Sequence, residues 1–197
     1  MPSGRRNSLP RLLLLVCGAV ISLTATQLGL AGEHSDEETA ALLKALPNAK
    51  LSLAEGARQA AKNGEAPISA KFELDDNKKL SLSVYTAEKG LTQDAEHNGL
   101  KELSGSPEQS SWTPEAELFK DLPHVSRASE HLTLMAQSKQ SLADFIGMAE
   151  KQNKGTVFSA IPEVQDHRPI LVVLTAQQGK VNELRYDLQT GRMLASK

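Results

Sequence analysis

The chain has 197 residues, 40% of them hydrophobic and 23% charged, with 22 basic and 24 acidic side chains and a net charge of −2. That length and apolar content suffice for a buried core, while the acidic balance argues against nucleic acid and anionic membrane surfaces, which are held by basic patches. A single cysteine, Cys17, rules out an internal disulfide and so the small disulfide-stapled scaffold.

Cys17 lies in a segment with the grammar of an export signal. Arg5, Arg6 and Arg11 precede an apolar run over residues 12–23, and Gly29-Leu30-Ala31 places small residues at the two positions a signal peptidase reads. Residues 1–31 are expected to be cleaved, leaving 19 basic against 24 acidic residues in a soluble protein that is periplasmic or secreted. The run is shorter than the ~20 residues a membrane-crossing helix needs and no later run approaches that length, so no membrane span is expected in the mature chain. Asn7-Ser8-Leu9-Pro10 after Arg5-Arg6 makes a poor twin-arginine signal, and Val16 before Cys17 is not the small residue that lipid attachment requires.

The remainder repeats its own order. Leu42-Leu43-Lys44-Ala45-Leu46-Pro47 returns as Leu118-Phe119-Lys120-Asp121-Leu122-Pro123, at an offset of 76. Ser52-Leu53-Ala54-Glu55 returns as Ser141-Leu142-Ala143-Asp144, Ser69-Ala70 as Ser159-Ala160, and Thr86 to Gly90 as Thr175 to Gly179, at offsets of 89 or 90. Such a repeat implies one small unit used twice. The predicted division is a first unit over 38–105, a linker with a helix over 106–140, and a second unit over 141–197.

In the first unit, Ser52 and Glu55 stand at helix-capping spacing before Leu53, Ala57, Ala60 and Ala61. Asn63-Gly64 ends that helix, and alternation at Ile68, Ala70, Phe72, Leu74 and at Leu80, Leu82, Val84 predicts two strands joined by a turn at Asp75-Asp76-Asn77-Lys78. Between the units, Trp112-Thr113-Pro114-Glu115 has the form of a helix start, with Thr113 as cap and Pro114 in the first turn, and the helix is expected to end near Leu122-Pro123. Residues 125–140, with Leu132, Leu134 and Met135, have no counterpart in the first unit and either lengthen that helix or form a flap.

The second unit opens with Ser141 and Asp144 before Leu142, Phe145, Ile146 and Ala149, a helix face running to about Gln152. Strands follow at residues 157–161, 170–174 and 180–188. The fold class expected is α+β, with two tandem units, each of one helix packed on a roughly three-stranded antiparallel sheet. The first unit, with smaller helix side chains, has the thinner core.

The stretch from Gly179 to Leu194, with Tyr186, Asp187, Thr190 and Gly191 at its turn, resembles the closing hairpin of PepSY domains, and the upstream Ser-Leu-x-Asp helix fits the same family. Residues 49–91 resemble it too but depart at the end: His97 stands where Tyr186 would align and no Asp-x-x-Thr-Gly turn follows, which leaves a third strand in the first unit in question. The resemblance implies a cystatin-like α+β fold, an exported bacterial protein, and a partner that is a protease or another protein of the envelope or extracellular space, bound or restrained without catalysis. Physically, Asp187 can accept backbone N–H bonds across the turn and Gly191 can supply a positive φ.

No constellation of catalytic, cofactor or metal residues stands out. His34, His97, His124, His131 and His167 lack the spacing of a helical zinc pair and read as solvated surface histidines, with a metal shared by His124, Glu130 and His131 as the remote alternative. Asp75-Asp76-Asn77 reads as a turn, since the rest of a calcium loop is missing. Trp112 is either packed over the junction or exposed as a binding anchor. The preferred class is a non-enzymatic binding or inhibitory protein with no cofactor; the alternative is a periplasmic or secreted sensor or carrier holding a metal or small ligand between the units.

Overall fold

The computed structural model describes residues 36–194. The export signal, Cys17 and His34 lie outside the described residues.

The described chain holds α1 (Asp36–Ala45), α2 (Leu53–Ala60), β1 (Ala66–Leu74), β2 (Leu80–Ala87), β3 (Leu100–Gly105), β4 (Glu115–Leu118), α3 (Leu122–Met135), α4 (Leu142–Gln152), β5 (Thr156–Gln165), β6 (Arg168–Gln177) and β7 (Lys180–Asp187). The caps form where the sequence places them. Ser52 accepts from the Glu55 N–H, and Ser141 and Asp144 complete a reciprocal capping box. The hairpins are set by local chemistry as well. Asp75 Oδ1 accepts from the Asn77 and Lys79 N–H groups at 2.9 and 2.8 Å, and Asp166-His167 and Gln178-Gly179 each place two positive φ angles in a two-residue loop, matched to strand twist.

The expectation of two tandem units is corrected. Among the described residues all strands join in one seven-stranded antiparallel sheet, in the order β4-β3-β2-β1-β5-β6-β7, with four α-helices. The seam is the antiparallel pairing of β1 with β5 at Ala70↔Ala160 and Lys71↔Ser159. A helix on three strands leaves bare edges and a small core; pairing β1 with β5 covers one edge of each half, and α2 packs directly on α4 above the seam.

Two faces follow from the two-residue alternation of strands. Ile68, Phe72, Leu82, Val84, Val173 and Leu184 point to the face covered by α2 and α4, where Leu53, Phe145 and Ile146 are fully buried. The opposite face carries Ser69, Tyr85 and Glu102 and is crossed by α3, whose His131 meets Ser69.

Three local expectations also change. Glu115–Leu118 is a strand, not a helix: it pairs with β3, and the helix begins later, where Asp121 accepts from the His124 N–H and Pro123 occupies the first turn. The third strand of the first half exists as β3, paired from Leu82↔Gly105 to Ala87↔Leu100. His97 belongs instead to a 3-10 turn in the long β2–β3 connection, capped by Asp94. Finally, Leu42 to Pro47 and Leu118 to Pro123 are not structural equivalents, the first ending a helix and the second joining a strand to one.

Candidate functional site

The hairpin residues singled out in the sequence form a structural staple at the end of β7. Tyr186 is buried, its ring lies 5.6 Å from that of Phe145, and its hydroxyl donates to Gln152 Oε1 at 2.8 Å. Burial raises its phenol above the ordinary range. Asp187 Oδ1 accepts from Thr190 N and Oγ1 at 2.7 and 2.9 Å, which hold its carboxyl below the usual range. Gly191 has φ +70°, and a Cβ there would overlap the Gln140 amide. Asp187 N–H then donates to the Arg192 carbonyl and Leu194 N–H to that of Arg185, so the C-terminal segment covers this end of β7.

The histidines divide. His97 and His124 pair with Asp94 and Asp121 at 2.7 and 2.8 Å, each within one turn, and His167 is exposed in its hairpin. His131 departs from the surface reading: it is 5% exposed, with Nδ1 3.0 Å from Ser69 Oγ. Burial, and then the positive Arg127, push its imidazole down to about 4. This serine and histidine are both buried where α3 packs on the sheet. Among the described residues no group of three or more His, Cys, Asp and Glu could hold a metal ion. His124, Glu130 and His131 are therefore not brought together as ligands.

Trp112 packs inward. It is 7% exposed, Gln59 Oε1 accepts its backbone N–H at 3.1 Å, and its buried Nε1 has no hydrogen-bond partner among the described residues. The space it occupies lies over Gly105, where a Cβ would come within 3.3 Å of Nε1. A shallow groove of about 390 Å³, lined among others by Leu46, Pro47, Lys50, Phe72, Glu150 and Thr156, runs where the two halves meet on the helical side.

The feature that sequence reading missed is the outer edge of β4. This strand ends the sheet, nothing among the described residues pairs with its far side, and all four of its residues are exposed. Its hydrogen-bonding pattern can be followed from Phe119, whose N–H donates to the Leu100 carbonyl at 3.0 Å. Antiparallel ladders alternate, so Glu117 and Glu115 bond inward to β3 at Glu102 and Ser104, while the N–H and C=O of Ala116 and Leu118 face outward. Beside them Leu118 is 49% exposed and Leu122, at the start of α3, 77%. A free ladder of backbone groups with apolar side chains beside it is a template for another strand. No side-chain motif marks it, because a free edge is a property of strand order.

Among the described residues no helix is long and apolar enough to cross a membrane. No family model matches the chain, and no curated protein matches it. Among solved structures it is similar to the crystal structure of a candidate lipoprotein from Clostridium difficile 630, with a TM-score of 0.38 and 10% identity over 75% of this chain and 93% of that one.

Proposed function

We propose that the chain is an exported, non-catalytic PepSY-like protein that binds, and thereby inhibits or regulates, a protease or another protein of the cell envelope or extracellular space. The observation that carries this reading is the unpaired edge of β4, where Ala116 and Leu118 offer backbone donors and acceptors outward. An extended segment of a partner gains main-chain hydrogen bonds there without any special residue on this chain. The resemblance of residues 179–194 to a PepSY hairpin supports the class of partner, and the signal-like residues 1–31 support the compartment.

Ala116→Pro is the direct test. It removes one outward N–H and leaves the bonds to β3 in place, the one setting in which a strand tolerates proline. The chain should capture an extracytoplasmic protein from native envelope extract, and the variant should lose at least about tenfold in capture with an unchanged circular dichroism spectrum. Equal capture by the two would overturn the reading. The exported form should begin at Gly32 by N-terminal sequencing; an unprocessed chain retained in the cytoplasm would contradict export.

A further inference from the structure

The charge on β4 says what kind of segment fits it, given the reading above that an extended partner adds to this edge. Glu117 lies directly across from Glu102 in the β3–β4 register, with Glu115 one step along on the same face. Like charges facing each other across a ladder repel, and the side chains of Glu115 and Glu117 form no ion pair or hydrogen bond among the described residues. Glu102 accepts the Ser83 hydroxyl, and it too lacks a cationic ion-pair partner among those residues. The opposite face of β4 presents Ala116 and the half-exposed Leu118. The edge is thus anionic on one face and apolar on the other, with an outward ladder between.

We infer that the strand recognised by β4 is basic and amphipathic, with Lys or Arg at alternate positions facing Glu115 and Glu117, and apolar residues between them facing Ala116 and Leu118. A cation placed beyond Glu117 extends the Glu102–Glu117 row and neutralises it. A second copy of this chain is a poor occupant, because antiparallel self-pairing centred on Glu117 adds a further like-charge pair to a row already carrying two carboxylates.

The test uses the full chain and four eight-residue peptides: alternating Lys-Val, alternating Thr-Val, alternating Glu-Val, and Lys-Val N-methylated on the valines. The register places the valines opposite Ala116 and Leu118, so their N–H groups make the ladder bonds and methylation removes them. Lys-Val should bind at least about tenfold tighter than Thr-Val, weaken severalfold between about 50 and 500 mM salt, and lose binding on valine methylation. The double variant Glu115→Lys, Glu117→Lys should reverse the preference towards Glu-Val. Equal binding of Lys-Val and Thr-Val, both lost in Ala116→Pro, would overturn the charge assignment and leave edge binding intact. Absence of binding by all peptides, or Lys-Val binding indifferent to valine methylation, would overturn edge binding itself.

Discussion

Ala70 of β1 and Ala160 of β5 face each other across the centre of the sheet, and they are the same residue of the sequence repeat. Each element that follows Ala70 outward, β1 to β2 to β3, has its counterpart following Ala160, β5 to β6 to β7. Both strands carry a register shift in the same place, between Pro67 and Ser69 and between Val157 and Ser159. Both alanines are almost fully buried beneath the helices.

This seam makes the two halves one cooperative body. Urea unfolding should show a single transition with coincident fluorescence and circular dichroism curves. Ala160→Leu should lower stability by about 1–3 kcal/mol through overpacking, without splitting that transition. Two separable transitions in the unaltered chain would contradict a continuous sheet.

Two glycines in the helices above the seam stand in different surroundings. A Cβ at Gly56 of α2 would overlap Leu82 Cδ2, and Leu82 is fully buried. Gly147 of α4 has nothing within 4 Å. Gly56→Ala should therefore cost about 1–3 kcal/mol by overpacking, against the helix-propensity gain. Gly147→Ala should gain about 0.5–1 kcal/mol from propensity alone. Thermal unfolding of the pair, with midpoints moving in opposite directions, is the check.

His131 should give stability a pH dependence above the carboxylate range. The folded chain holds the ring neutral, with its value lowered from 6.5 to about 4, while the unfolded chain takes up the proton near 6.5. The contribution is complete above about pH 6.5 and is lost as pH falls towards 4, by up to about 3 kcal/mol. Glu163, whose carboxyl is raised first by burial and then by Glu183, acts in the opposite sense. The lowered carboxyls of Asp121 and Asp187 act at lower pH. Urea midpoints at pH 7 and 4.5 should differ more in the unaltered chain than in His131→Gln. An equal drop in both would remove His131 as the cause.

Local structure was legible wherever side chains write it. Ser52, Ser141 with Asp144, the Asp75 turn and the Asp187–Gly191 staple all form as their residue types require. The architecture was not, because β1 and β5 join through backbone bonds at Ala70, Lys71, Ser159 and Ala160, residue types that look the same whether a strand lies at an edge or in the middle. The helix-start signature at Thr113-Pro114 gave way to β4, since the β3 edge was there to be paired and Asp121 carries a cap of its own. The repeat at offset 76 misled for a related reason: short Leu-Lys-Leu-Pro strings suit both a helix end and a strand-to-helix junction, and only the segments at 89 or 90 share structural positions. His131 looked like a surface residue because its burial depends on α3 folding back over the sheet.

Residue-resolved hydrogen exchange across β4 tests the central claim most directly. In the free protein the amides of Ala116 and Leu118 should exchange fast and those of Glu117 and Phe119, bonded to β3, slowly. On binding its protein partner, Ala116 and Leu118 should become protected. Protection arising elsewhere on the surface, with these two amides still exchanging fast, would contradict recognition by strand addition.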